Sequence, residues 1–257
     1  MIDIPISASA SEGASSAFFV VAAIYFALSA VWAVVNMRKL GVLPLVLLAG
    51  GLISALQEGP IDRLILLWYP EGSPVIAWHS MGVPQPLYMI LIYGGFVGGG
   101  SYVAYRSLVA GRGARGLWEI FLGVVVMDAL FEIPATAGHV YFYYGNLPFQ
   151  VVDRGWAVHL GFISASAPVL AGWMLFHIVP FARGGKVWLL ALIPPTAWAA
   201  AYFVTGWPVY LATGSDWPAP LTWLGGIATI ALSCGLVWLL GRTTLAWRGA
   251  PVAVATT

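Results

Sequence analysis

Charged residues are scarce in this chain. Only 8% of its 257 residues are Asp, Glu, Lys or Arg, against about a quarter in ordinary soluble domains, while 60% are hydrophobic. The formal net charge of +1 provides no basic surface of the kind that binds nucleic acid. The composition therefore excludes nucleic acid as a partner and predicts an integral membrane protein, with the lipid bilayer as its surroundings.

Cysteine and an N-terminal basic segment are also lacking. The single cysteine, Cys234, excludes an internal disulfide and any C-x-x-C metal or redox motif. Residues 1–16 contain no Lys or Arg, whereas a cleavable signal peptide begins with a positive segment. We therefore expect the first apolar run to be a helix of the mature protein.

Apolar runs long enough to cross a bilayer, about 20 residues each, occur seven times. This predicts an all-α, polytopic membrane protein with seven transmembrane helices in one domain over residues 1–257. A tail of residues 1–16 would precede the bundle and a tail of residues 242–257 would follow it. The predicted spans are 17–36, 42–58, 84–108, 116–134, 156–180, 186–207 and 219–241.

The basic residues predict the orientation of the bundle. Nine of the eleven Lys and Arg residues follow odd-numbered spans, and only Arg63 and Arg154 fall on the other side. Because cytoplasmic loops carry the excess of Lys and Arg, the N-terminal tail is expected outside and the C-terminal tail in the cytoplasm. The expected location is a bacterial plasma membrane.

Lysine is absent from the seventh predicted helix. Rhodopsins share the seven-helix plan with an outer N-terminus, and they bind retinal through a lysine on that helix. The only lysines here, Lys39 and Lys186, lie at the predicted cytoplasmic edge. Retinal binding is therefore excluded.

Two pairs of acidic residues lie at the predicted outer ends of hydrophobic spans. Glu58 and Asp62 end the second span, and Asp128 and Glu132 end the fourth, each pair next to an X-Pro bond. Ionisable groups at membrane depth are costly and mark a functional site by default. We expect these four carboxyl groups to be the catalytic residues, with Asp128 and Glu132 as the preferred proton donor and its partner.

The sequence Gly59-Pro60 leaves the geometry of the first pair open. If the helix breaks there, a short interfacial helix over 61–69 starts at Pro60, and the two acids do not share a face. If the helix continues through a kink, Glu58 stacks on Asp62. Either acid could also form a structural ion pair with Arg63.

Glycines in the third span form two small-xxx-small pairs, Gly94/Gly98 and Gly95/Gly99. Such pairs allow helices to approach closely. We expect close packing here, with a glycine wall facing a substrate as the alternative.

Aromatic residues crowd the two loops that follow the acid pairs. Both halves of the chain repeat one order: acid pair, X-Pro, aromatic cluster, proline, new helix. This indicates a duplication that relates the second and third helices to the fourth and fifth. The residues expected to line a substrate pocket beside the acids are Trp68, Tyr69, Trp78, His79, His139, Tyr141, Tyr143, Tyr144, Asn146 and His159.

Acids beside aromatic rings favour Brønsted acid catalysis on an apolar substrate. Desolvation disfavours the anion of a carboxyl group, so a carboxyl in a dry site holds a proton that it can donate to an alkene or an epoxide. Aromatic faces then stabilise the carbocation. This chemistry needs no metal and no cofactor, and we expect neither.

Two other functions stay open. A metal-dependent lipid hydrolase would need His and carboxylate ligands, but the chain has no H-x-x-x-H, H-E-x-x-H or E-x-x-H spacing. A non-enzymatic transporter or binding protein for a small lipid or ion would suit the apparent repeat. The segment below Asp128, Val124-Val125-Val126-Met127, offers an ion no polar path.

The size, helix number and acid-plus-aromatic character resemble those of the seven-helix membrane-bound terpene cyclases of fungal and actinobacterial pathways. That resemblance implies protonation-initiated cyclisation or isomerisation of a prenylated or other lipid substrate, without metal. Segments 68–72 and 143–149 also resemble parts of multi-pass actinobacterial proteins. The sequence thus predicts a membrane-embedded isomerase or lyase acting on an isoprenoid.

Overall fold

Seven helices of the structure, a computed structural model, are long and apolar enough to cross a membrane. The structure describes residues 5, 7–215 and 217–249, with side chains as far as Thr244. The helices bear out an all-α, polytopic fold. These spans, numbered one to seven below, are Glu12–Val35, Leu43–Ile65, Leu87–Val109, Gly113–Ala137, Val158–Phe181, Gly184–Gly214 and Ala219–Thr244.

The first span begins earlier than hydropathy predicts. It starts at Glu12, and the side chain of Ser11 accepts a hydrogen bond from the backbone N–H of Ala14. Polar residues in a capped first turn are invisible to a hydropathy window, so the expected tail of 1–16 is too long. Of the predicted tails, residues 1–4, 6 and 250–257 lie outside the described part of the chain.

The second span continues through Gly59-Pro60. An α-helix over Leu43–Ser54 passes through a 3₁₀ turn, Ala55–Gln57, into an α-helix over Glu58–Ile65. Pro60 lies in the first turn of that last segment, where its missing N–H leaves no hydrogen bond unmade, so the helical segment continues past it. The alternative of a separate helix over 61–69 is wrong, because the helix ends at Leu66 in the left-handed region, with a φ of 58°.

The third span contains a π-helical segment, Gly94–Gly99, between Leu87–Tyr93 and Gly100–Val109. Its glycines differ in what they face. A methyl group on Gly98 would lie 2.8 Å from the carbonyl carbon of Leu47, so the second and third spans touch through their backbones. Gly99 instead faces open space.

Short strands, which the sequence did not predict, order the two aromatic loops. Strands β1 (Leu67–Trp68) and β4 (Phe142–Tyr143) pair antiparallel, while β2 (Ile76–Ser80) and β3 (Val83–Pro86) form a hairpin. In the first pair, Leu67 is opposite Tyr143 and Trp68 is opposite Phe142. The loop after the second span is therefore joined by backbone hydrogen bonds to the loop after the fourth.

Candidate functional site

Three of the four predicted acids meet at one small chamber. Glu58, Asp128 and Glu132 line a cavity of about 60 Å³ between the spans. The rest of its wall is mostly aromatic. The rings that line it belong to Phe18, Tyr25, Tyr93, Phe96, Phe131, Tyr141, Tyr143, Trp198 and Tyr202.

Glu58 is held by two tyrosine hydroxyl groups. Tyr69 donates to its Oε1 at 2.8 Å, and Tyr93, from the third span, donates to its Oε2. Asp62 lies one turn further along the same helix segment and is fully buried, and its Oδ2 accepts from Nε2 of Gln85 at 2.9 Å. Glu58 therefore lines the chamber, whereas Asp62 is buried in the protein and is not part of the chamber wall.

The second acid pair is held in the same manner. Nε1 of Trp156 donates to Oδ2 of Asp128 at 2.8 Å, and the hydroxyl of Tyr143 donates to Oε2 of Glu132 at 3.0 Å. Pro134 lies inside this helix, which continues to Ala137, so both acids remain on one helical element. Each carboxyl thus has a fixed donor from a neighbouring element.

The two halves of the chain use one arrangement twice. Glu58 with Tyr69, and Glu132 with Tyr143, are each separated by 11 residues, and each pair is hydrogen bonded. The paired strands β1 and β4 end at or next to those two tyrosines. This correspondence supports the predicted internal duplication, and it brings one glutamate–tyrosine unit from each half to the chamber.

No positive side chain of the described residues forms an ion pair with these acids. Arg63 donates to the carbonyl of Met81 at 2.7 and 3.2 Å and stacks over the ring of Trp68 at 5.8 Å. Within residues 7–215 and 217–244, the ion pairs join Glu71 to His79 and Glu119 to arginines, and none includes the four acids. The expected alternative of an ion pair with Arg63 is therefore not formed.

The tyrosines of the aromatic loops remain hydrogen-bond donors over a wide pH range. Burial raises the pKa of Tyr69, Tyr141 and Tyr143 well above the usual value of 10, and the nearby carboxyl groups of Glu58 and Glu132 raise it further. The rings also pack on one another, with Tyr69 and Tyr141 edge to face at 5.5 Å. These hydroxyl groups therefore orient the glutamates.

The ten predicted pocket residues separate into three groups. Tyr141 and Tyr143 line the chamber, and Tyr69 does not line it but donates a hydrogen bond to Glu58. Buried but apart from the chamber lining are Trp68, Tyr144 and His159, the last through a hydrogen bond from Nδ1 to the carbonyl of Pro148 at 3.1 Å. Partly or fully exposed in the loops are Trp78, His79, His139 and Asn146.

Several lining residues were missed because they lie inside predicted spans. Tyr93, Trp198 and Tyr202 come from the third and sixth spans, and Ser164 of the fifth span shares a hydrogen bond with Tyr202 at 2.9 Å. Aromatic residues in a span are usually read as packing or interface anchors. The one available signal was a tyrosine hydroxyl in mid-span, which needs a partner in an apolar medium.

A second, larger cavity adjoins the chamber. It is a groove of about 960 Å³ between the first, third and fourth spans, and Pro44 and Leu48 of the second span also line it. Tyr25, Phe96 and Met127 line both cavities. The chamber and the groove are therefore neighbours that share part of their walls.

Among the residues that the structure describes, no three His, Cys, Asp or Glu side chains come together in a way that could hold a metal ion. Protein-family models, curated proteins and solved structures were all compared with this chain, and none of them matches it.

Proposed function

We propose that this protein is a membrane-embedded isomerase or lyase that protonates an isoprenoid or related lipid and so starts its cyclisation or rearrangement. One observation carries the proposal: three carboxyl groups without a cationic partner, two buried and one half-buried, surround a space whose wall is otherwise mostly aromatic. Acids withdrawn from water without a counter-charge are rare unless they function. The proposed chemistry is the one that the resemblance to membrane-bound terpene cyclases implies.

In the proposed reaction, a carboxyl group gives its proton to a carbon of an alkene, and a carbon–hydrogen bond forms. The carbocation then loses a proton from a neighbouring carbon to the carboxylate, or it adds a water molecule whose extra proton passes to the carboxylate, so charge and atoms balance. Tyr93, Trp198 and Tyr202 present ring faces or edges to this space, and cation–π attraction to such faces stabilises the cation. Asp128 and Glu132 are the preferred donor and its partner, and Glu58 is the second acid.

We infer the orientation from the distribution of Lys and Arg. It places the N-terminus outside, the C-terminus in the cytoplasm and the chamber in the outer half of a bacterial plasma membrane. The seven apolar helices support a multi-pass protein. In a Cys234→Ala background, the accessibility of a cysteine introduced at exposed Val75, compared with one introduced at exposed Gly185, would test the sidedness.

Deuterium transfer from solvent tests the proposed chemistry. The purified protein would be incubated in D₂O with geranylgeraniol and with squalene, and the products analysed by mass spectrometry. Protonation of an alkene leaves one solvent deuterium on carbon. Because a general acid contributes about 10²–10⁴-fold to rate, Asp128→Asn and Glu132→Gln should each lower product formation by about that factor.

Glu71→Gln is the matched control, since Glu71 is an exposed acid in a loop beside His79. It should leave the rate unchanged. Full turnover in both Asp128→Asn and Glu132→Gln, with normal folding, would remove the catalytic assignment.

A lipid-binding protein without chemistry is the second candidate, and the size of the chamber favours it. A cavity that accepts benzene measures about 150 Å³, so about 60 Å³ admits a few water molecules or the tip of a chain. Binding of a polyprenyl alcohol without any product or deuterium uptake would select this function.

A further inference from the structure

We propose that the groove between the first, third and fourth spans holds the hydrocarbon chain of a neutral lipid, which reaches the chamber sideways from the bilayer with its uncharged end first. The inference extends the proposed function, because it names the substrate class and the access route to the same carboxyl groups. It concerns binding, however, and holds whether or not a reaction follows.

The first span forms one wall of the groove and keeps contact with the third span near its end, where the ring of Trp32 lies 5.7 Å from that of Tyr102. Near its start it packs closely, since Phe18 meets Tyr88 edge to face at 5.2 Å. Further along, from Tyr25 to Asn36, it lines the groove, and its Leu28 and Val31 are 65% and 59% exposed. The groove therefore opens laterally, toward the acyl chains that surround a membrane protein.

The lining of the groove suits a hydrocarbon chain. No Asp, Glu, Lys, Arg or His is among its lining residues in the described part of the chain. Its two small polar side chains are occupied by their own helix: Ser29 donates to the carbonyl of Tyr25 at 2.9 Å, and Asn36 donates to that of Trp32 at 2.8 Å. Apart from tyrosine hydroxyls and the indole N–H of Trp32, the groove offers only apolar contact. Its volume of about 960 Å³ lies within the 300–1,000 Å³ that is usual for ligand pockets.

Tyr25, Phe96 and Met127 line both the groove and the chamber, and we place the route from one to the other past these three side chains. Phe96 belongs to the π-helical segment Gly94–Gly99, and such segments are frequent at functional sites. Met127 lies next to Asp128 in the chain, so a hydrocarbon that passes it arrives at a carboxyl group. This route thus joins a site for the tail to a site for the reactive end.

The charges around the chamber select an uncharged end. A phosphate, diphosphate or carboxylate would enter a space with three carboxyl groups and no Lys or Arg in its described lining, and burying an unpaired charge is strongly unfavourable. Trp198 is 3% exposed, and its Nε1 donates to no residue that the structure describes. An alcohol, ether, epoxide or carbonyl oxygen would supply the acceptor that this N–H lacks.

Photolabelling in vesicles tests the proposal. The probes are a C16 alcohol with a diazirine in its chain, the corresponding C16 fatty acid, and a phosphatidylcholine carrying the same diazirine acyl chain. The alcohol should label peptides from the groove, around Val103 and Val124. Geranylgeraniol should compete with it, and the two charged or zwitterionic probes should label the groove at least about tenfold less.

Leucine substitutions at groove glycines give the decisive comparison. Gly99 and Gly123 both line the groove, and a Cβ at either position would meet no atom within 4 Å, so a leucine side chain there would start in open space and extend into the groove. Displacing two methylene groups of a bound chain should lower labelling about tenfold. Gly235→Leu is the matched control, because Gly235 lies on the seventh span away from the groove and is equally unobstructed.

Equal labelling by Gly99→Leu, Gly123→Leu and Gly235→Leu would overturn the proposal. So would equal labelling by the phosphatidylcholine, since the groove would then hold ordinary bilayer lipid. Selective labelling without deuterium uptake would leave this inference standing and refute the proposed reaction. Deuterium uptake that is unaffected by Gly99→Leu would refute the groove as the access route and keep the chemistry.

Discussion

Two adjacent glycines in the third span offer a sharp test of how the bundle is packed. A Cβ on Gly98 would lie 2.8 Å from the carbonyl carbon of Leu47 and 2.9 Å from the Cα of Leu48. Ordinary carbon contacts begin at about 3.5 Å. Backbone atoms cannot rotate away, so Gly98→Ala must push the second and third spans apart.

The size of the effect follows from a comparison with Gly99→Ala. Both substitutions replace a glycine by alanine in the same π-helical segment, so the gain in helix propensity is similar and cancels. Overpacking costs about 1–3 kcal/mol, whereas a methyl group on Gly99 would meet no atom within 4 Å. The free energy of unfolding should therefore differ by about 2 kcal/mol between the two variants.

Thermal unfolding in detergent, followed by tryptophan fluorescence, measures this difference. For a domain of this size, about 2 kcal/mol corresponds to a difference in Tm of about 4–8 °C, with Gly98→Ala the lower. A Tm for Gly98→Ala equal to or above that of Gly99→Ala would refute the close approach of these two spans.

Two further predictions concern the polar side chains around the acids. The pKa of Tyr69, Tyr141 and Tyr143 is raised above 10 in the folded protein, so these groups stabilise the fold fully below about pH 10, and this contribution is lost as the pH rises through the raised pKa values. Absorbance at 295 nm should show these three tyrosines ionising at a higher pH than free tyrosine. Titration of all tyrosines at the pH of free tyrosine, before the protein unfolds, would contradict this prediction. Gln85→Leu should lower the free energy of unfolding by about 1–3 kcal/mol, because the buried Asp62 loses the amide that donates to its Oδ2. In a double-mutant cycle, Gln85→Leu should cost less when Asp62 has already been replaced by Asn. Additive costs of the two substitutions would show that the two side chains do not interact.

Hydropathy alone was enough to predict the seven spans, because a run of about 20 apolar residues has few alternatives in a membrane protein. The ends were less accurate. Polar or proline-containing turns, such as Gly59-Pro60 and the turn around Pro134, continue the helices although they lower local hydropathy. The acids at those ends were singled out because charge at that depth is rare.

The partners of the acids were only partly predictable. The repeated order of motifs placed Tyr143 near Glu132, and the structure adds the hydrogen bond between them. Tyr93 reaches Glu58 from another span, and such a contact depends on the rotation of one helix against another, which no local pattern encodes. The exposed positions of His139 and Asn146 likewise follow from how the loop folds back through β4, not from their proximity to the acids in sequence.

The groove was predictable only as one alternative, an open glycine wall in the third span. Its other walls are apolar stretches of the first and fourth spans, and an apolar helix has the same sequence pattern whether it packs on protein or on lipid. Gly99 and Gly123 line it, yet neighbouring Gly98 packs against backbone. Glycine spacing alone cannot tell a helix contact from an open wall.

Strands β1 and β4 fasten the two halves of the chain by main-chain bonds, continued by the N–H of Tyr144, which donates to the carbonyl of Leu66 at 2.8 Å. The relative position of the two glutamates is consequently held by backbone hydrogen bonds between the two loops, which do not involve the glutamate side chains. Replacing the acids at the chamber by amides should leave this strand pairing intact. Loss of the reaction in such variants can therefore be attributed to the missing proton and not to loss of the folded structure.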